Sequence, residues 1–138
     1  MDILLTTFNR AKYLKPSLES LLESDIEGSS LWIYDDCSEQ PQALQLIEDF
    51  VTPLSAKYKV NYKRNEVNLG CDKNITLSAR EIIKNTGCEY IVVTDSDTIY
   101  HEDWLSFLKS QFKNKDLKDV AAISLFNTPN HKVTGKFD

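Results

Sequence analysis

Ile3-Leu4-Leu5 is a short apolar run that gives way to Thr6-Thr7, the pattern of a buried strand. Leu14, Leu18, Leu21 and Leu22 then recur at helical spacing, with Pro16 placed in the first turn, where a missing N–H costs little. Gly28-Ser29-Ser30 breaks the chain before a second apolar run, Leu31-Trp32-Ile33-Tyr34, which stops at Asp35-Asp36. Pro41 opens a second helix with Ala43, Leu44, Ile47, Phe50 and Val51 on its apolar side, and Pro53 is expected to end it. Val60-Asn61-Tyr62 alternates as a third strand. A polar, turn-rich stretch from Asn65 to Asp72 leads into a third helix with Ile75, Ala79, Ile82 and Ile83 on one face. Gly87 follows its end, as glycine commonly does just past a helix. Tyr90-Ile91-Val92-Val93 has the pattern of a fully buried strand and runs into Thr94-Asp95-Ser96-Asp97. Trp104, Leu105, Leu108 and Phe112 mark a fourth helix, with Glu102 and Asp103 at its positive end. A charged connection from Lys113 to Asp119 precedes a fifth expected strand, Val120 to Leu125, and a tail from Asn127 to Asp138 without a period.

The order is thus β-α-β-α-β-α-β-α-β. Strands without strict alternation, separated by helices, predict an α/β fold with a mostly parallel sheet flanked by helices on both faces. No repeat or linker divides the chain, so residues 1–138 are expected to form one domain. Ligands of such sheets bind beyond the carboxyl ends of the strands.

The length of 138 residues suits one domain, and 41% apolar with 27% charged residues is enough to build a core. A net charge of -5 argues against nucleic acid and anionic membranes as partners, since both attract a positive field. No apolar run approaches the roughly 20 residues of a membrane-spanning helix. Met1-Asp2 leads straight into a strand, so no signal peptide is expected. Cys37, Cys71 and Cys88 are scattered and form no CxxC, and are read as reduced thiols of a cytosolic protein. Only four glycines occur, which excludes a Walker A loop and a GxGxxG fingerprint.

Three predicted strands end in polar clusters: Thr6 to Arg10, Asp35-Asp36 and Asp95-Ser96-Asp97. The sheet should bring them to one edge. Asp95-x-Asp97 offers two hard oxygen donors to Mg²⁺ or Mn²⁺, which keep positions open for phosphate oxygens. The same carboxylates could instead cap the Trp104 helix. Phe8 could stack on a nucleobase or pack beneath the first helix. Asp36 could accept from a base N–H or cap the next helix. Arg10 and Lys73 could face phosphates or simply be solvated charges.

These segments resemble the large family-two inverting glycosyltransferases of the GT-A fold. Thr6-Thr7-Phe8-Asn9-Arg10-Ala11-Lys12-Tyr13-Leu14 is similar to the family's opening P-T-Y-N-R-A-x-Y-L. Ile33-Tyr34-Asp35-Asp36-Cys37-Ser38 resembles V-D-D-x-S, and Asn65 with Asn68-Leu69-Gly70 resembles N-x-x-N-x-G. Val92 to Asp97 resembles the DxD strand, and the resemblance spans about residues 2 to 125. It implies a nucleotide-diphosphate sugar as donor, commonly a UDP-sugar, with Mn²⁺ or Mg²⁺ as cofactor. It implies that Thr6 and Phe8 contact the nucleoside and that Asp36, beside Asp35, bonds the base. Lys73 is implied near the nucleotide, Asp95 near the ribose and sugar, and Asp97 at the metal; Arg10 and Ser96 are expected beside them in donor binding, and Asp95 beside Asp97 at the metal.

Two departures stand out. Phe8 replaces the usual tyrosine, and the chain stops soon after the fifth expected strand. The resemblance therefore implies the donor-binding half of the fold, truncated before the acceptor half, with the catalytic base beyond Asp138. The implied acceptor is a saccharide or a lipid-linked carrier, which would make a cytoplasmic protein peripheral to the membrane. An exposed sheet edge could drive self-association. A non-catalytic nucleotide-sugar-binding or interaction domain is the alternative from another class. A phosphatase of the D-x-D-x-T/V type fits less well, because Ile99 stands at the last motif position and the motif lies far from the N-terminus. A receiver domain fits less well too, since its acidic pair follows the first strand and Asp35-Asp36 follows the second.

Overall fold

The computed structural model describes residues 1–113 and Ile123. The chain divides into two compact units, Met1–Trp104 and Leu105–Asp138. The first unit holds four strands, β1 (Asp2–Thr7), β2 (Ser30–Asp35), β3 (Lys59–Arg64) and β4 (Ile91–Asp95). Between them run α1 (Ala11–Glu23), α2 (Pro41–Lys57) and α3 (Cys71–Thr86). A further helix, α4 (Trp104–Phe112), supplies most of what is described of the second unit. The expected fifth strand lies outside the described residues apart from Ile123, as does the tail.

All strand pairs are parallel, in the order β3-β2-β1-β4. The chain steps outward from β1 to β3, and α3 then carries it back to the other flank of β1. β1 is therefore the switch point of the sheet, where ligands of open α/β folds bind.

Strand alternation sorts the core into two layers. Leu4 and Tyr34 form a buried cluster with Ile82 of α3, and Trp32, Ala79 and Ile91 pack against it. On the opposite face Ile3, Leu5, Leu31 and Ile33 are fully buried, as are Leu14, Leu18 and Leu21 of α1 and Ala43, Ile47 and Leu54 of α2. Helices on both faces are what near-continuous apolar strands require.

Four local expectations are corrected. Pro16 lies in the second turn of α1, inside the helix. It gives up one backbone bond, and the apolar stripe Leu14, Leu18, Leu21 keeps the helix together. Pro53 does not end α2, which runs on to Lys57 because Leu54 is fully buried. The buried side of α3 is Asn74, Ser78 and Ile82, while Ile83 is exposed. β4 is the edge of the sheet among the described residues, and its Val93 is 46% exposed.

The segment after β4 is tied to α1. Tyr100 donates its backbone N–H to Ser20 Oγ at 3.1 Å and pairs its hydroxyl with Thr94 Oγ1 at 2.8 Å. Burial pushes the Tyr100 phenol up to about 12. Asp25 N–H donates to the Glu102 carbonyl at 2.8 Å.

Removing the methyls of Ile82 leaves a void between α3 and the sheet. Ile82→Ala is expected to cost about 2–5 kcal/mol in urea unfolding. At the start of β1, burial pushes the Asp2 carboxyl up, but hydrogen bonds from Thr86 and Ser30 outweigh it and hold it below its ordinary 3.8. A depressed carboxyl stabilises the fold above its unfolded pKa, and that contribution disappears as pH falls through the folded value. Asp2→Asn is therefore expected to flatten the loss of melting temperature below about pH 4.

Candidate donor site

The strand register assembles the site. Thr7 lies opposite Asp35, and Asp35 opposite Arg64, at the carboxyl ends of β1, β2 and β3. Thr6 lies opposite Asp95 on the other flank of β1. The sheet thus brings together the three polar clusters that the sequence singles out.

Asp35 is fully buried. Its carboxylate accepts from the Ser38 N–H at 2.9 Å and from the Ser38 hydroxyl, and pairs with Arg64 Nε at 3.3 Å. Arg64 also donates to the Ser38 carbonyl at 2.8 Å. Three donors satisfy a charge that could not otherwise sit inside the protein. They also set the loop after β2, where Cys37 is left-handed at φ 62.

Asp36 is 3% exposed, and its carboxylate closes the loop before α3. One oxygen accepts from Asn65 Nδ2 at 2.8 Å and from the Leu69 N–H at 2.9 Å, and the other accepts from the Gly70 N–H at 2.9 Å. A carboxylate has about four acceptor positions, so one remains for a further donor. Asn65 also donates to Asn74 Oδ1 at 3.0 Å, which links the loop to the buried side of α3. Gly70 has φ 82 and ψ 156, a conformation that only glycine adopts readily.

The flank of β4 is more open. Thr6 Oγ1 donates to Asp95 Oδ1 at 3.4 Å. Arg10 Nη1 meets Asp97 Oδ2 at 3.0 Å, with the two side chains 62% and 44% exposed. Ser96 is buried between the two aspartates in sequence, and Phe8 is 40% exposed. Lys73 sits on the exposed side of the first turn of α3 and makes no hydrogen bond or ion pair among the described residues. Thr7 Oγ1 is buried with no hydrogen-bond partner among the described residues.

The donor set fits a divalent ion held in part by a ligand. Asp97 is solvent-facing, and its partner is already a cation. Among the described residues no cluster of three or more His, Cys, Asp or Glu side chains is suited to a metal. Two hard oxygens with open positions suit Mg²⁺ or Mn²⁺ carrying water and phosphate oxygens. No described helix is long and apolar enough to cross a membrane.

Sequence reasoning assigned no role to Ser38, Asn9, Arg64 or Asn74. Ser38 and Asn9 lie inside the Asp35–Ser38 and Thr6–Leu14 motifs, and Arg64 stands at the end of its strand as Asp35 does at the end of β2. Asn74 carries no such signal, because a lone polar residue on a helix says nothing about burial.

Asp35→Asn keeps the shape but removes the charge that holds Ser38 and Arg64. Expected is a loss of about 2–4 kcal/mol in chemical unfolding, from an amide N–H₂ facing donors in a buried position.

Comparison with known proteins agrees with this fold. Residues 2–131 match the family model described as Glycosyl transferase family 2. Protein CgeD of Bacillus subtilis (strain 168) is 25% identical over 115 residues, covering 83% of this chain and 26% of that protein. The crystal structure of S. aureus TarS 1-349 in complex with UDP-GlcNAc superposes with a TM-score of 0.65 at 23% identity, covering 81% of this chain and 30% of that one. The mannosyltransferase PcManGT from Pyrobaculum calidifontis, in complex with GDP-Man and Mn²⁺, superposes with a TM-score of 0.68 at 14% identity, covering 83% of this chain and 32% of that one. The chain thus spans about a quarter to a third of these matched chains, and 19% of the longer TarS chain. The structures share its fold, and the match across nearly the whole sequence makes the chain a member of glycosyl transferase family 2.

Proposed function

We propose that this chain forms the donor half of an inverting glycosyltransferase site, binding a nucleotide-diphosphate sugar with UDP as its nucleotide. The observation that carries the reading is the convergence of three strand ends on one edge. A braced acidic pair lies on one flank of β1, and an exposed carboxylate already matched to a cation lies on the other. Support comes from the solved relatives, in which S. aureus TarS holds UDP-GlcNAc and PcManGT holds GDP-Man and Mn²⁺.

In this reading the exposed ring of Phe8 stacks on the base, and the remaining acceptor position of Asp36 takes a base N–H. Thr6 contacts the nucleoside, and Asp95 with Ser96 lies against the ribose and sugar. Arg10 and Lys73 face the phosphates. Asp97, with Asp95, would hold Mn²⁺ or Mg²⁺, which supplies charge neutralisation for the departing diphosphate. The acceptor hydroxyl attacks the anomeric carbon from the opposite side and must lose its proton to a general base. None of the described residues is assigned that role.

Calorimetric titration with UDP, with and without Mn²⁺, tests the reading on wild type and Asp97→Ala. Metal-dependent micromolar binding that disappears in the variant is expected. Absence of UDP binding by a chain that melts cooperatively in thermal shift would overturn it, and binding of GDP in its place would correct the base.

A further inference from the structure

The pair between Arg10 and Asp97 is costly to build and weak once built. Arg10 stands at the N-cap of α1 with φ 57 and ψ 36, a left-handed conformation that strains any side chain. Asn9 before it is left-handed as well, at φ 56. A cation at the N-terminus of a helix also opposes the helix dipole. The β2–α2 loop holds this arrangement in place. Asn9 N–H donates to Ser38 Oγ at 2.7 Å, and Asn9 Oδ1 accepts from the N–H groups of Glu39 and Gln40 at 2.9 and 3.0 Å. Ala11 N–H donates to Gln40 Oε1 at 3.4 Å. These bonds aim the guanidinium across the mouth of the site at the end of β4. An ion pair with both side chains this exposed adds little to stability and exchanges freely. Stability of the fold therefore does not account for the strain.

We propose that Arg10 is an exchangeable counter-cation. It neutralises Asp97 in the empty site, yields that carboxylate to the arriving divalent ion, and then turns to the donor's diphosphate. The inference rests on the reading of Asp97 as a metal ligand. Charge balance favours the exchange: two carboxylates and a diphosphate carry about four negative charges against two on the metal, so a freed guanidinium is drawn to the phosphates. Its planar fork matches two phosphate oxygens at once, which an ammonium cannot do. The metal and the diphosphate thus act on Arg10 in opposite senses. Its loss should strengthen the first interaction and weaken the second.

The test is a Mn²⁺ titration of the whole chain without nucleotide, followed by electron paramagnetic resonance, on wild type, R10G and R10K. Glycine accepts the left-handed conformation, so R10G removes the cation and keeps the loop. R10G is expected to bind Mn²⁺ about two- to fivefold more tightly than wild type, the scale of an exposed pair. That gain should shrink as salt is raised, because screening already weakens the pair in wild type. With Mn²⁺ saturating, R10G should bind UDP about tenfold more weakly, and R10K should lie between the two. If R10G binds Mn²⁺ no more tightly than wild type, or keeps wild-type affinity for UDP, the exchange is overturned. Mn²⁺-dependent binding of UDP by wild type would then leave Asp97 as a metal ligand. If wild type itself shows no such binding, that reading falls and the exchange falls with it.

Discussion

A carboxylate with no access to water governs the carboxyl edge of this sheet. Asp35 ends β2 in full burial, and a charge in that position must be met by donors on every side. Ser38 and Arg64 meet it. Each is committed elsewhere as well, Ser38 to the backbone of Asn9 and Arg64 to the Ser38 carbonyl. One desolvated charge thereby fixes the loops after β1 and β2 and the end of β3. Asp36, one residue on, does the same for the loop before α3 through Asn65, Leu69 and Gly70. The acidic pair is wired into the scaffold before it can offer anything to a ligand.

The two flanks of β1 differ in kind. Toward β2 and β3 the two carboxylates are buried and hydrogen-bonded. Toward β4 the carboxylates of Asp95 and Asp97 are exposed, with a long contact to Thr6 and a solvent-facing one to Arg10. This division suits a site that recognises a rigid planar group on one side and handles mobile charge on the other. Rigid recognition needs preorganised acceptors, whereas ions that come and go need partners that can be displaced.

Much of this was legible in the sequence. Strands ending in Thr6-Thr7, Asp35-Asp36 and Asp95 could be read from apolar runs that stop at polar clusters, and their parallel order followed from the helices between them. The resemblance to glycosyltransferases rested on the same residues and is matched by the family across residues 2–131. Legibility failed where tertiary contact overrode local preference. Pro16 and Pro53 read as boundaries, yet buried apolar residues on either side, Leu14 and Leu18 in α1 and Ile47 and Leu54 in α2, carry both helices through. The inner side of α3 is half polar, because Asn74 serves the Asp36 network. No periodicity rule reports a buried asparagine whose partner lies in another loop. Val92 and Val93 read as core, but strand order decides burial, and order is not written in a single strand.

The position of β4 beside β1 has a consequence for how the molecule comes to be. Residues 89 apart in sequence, Thr6 and Asp95, must meet for β4 to join β1. The two pairings that join β1, β2 and β3 involve nearer neighbours along the chain and can form first, while distant pairings are slow to close. During synthesis β1 therefore stands with one flank unpaired until Asp95 emerges, with Ile3-Leu4-Leu5 at the centre of an unfinished sheet. The candidate site straddles this late seam between β1 and β4. A nascent chain has its buried acidic pair early and its exposed aspartates late, so whatever bridges the two flanks also fastens β4 to β1.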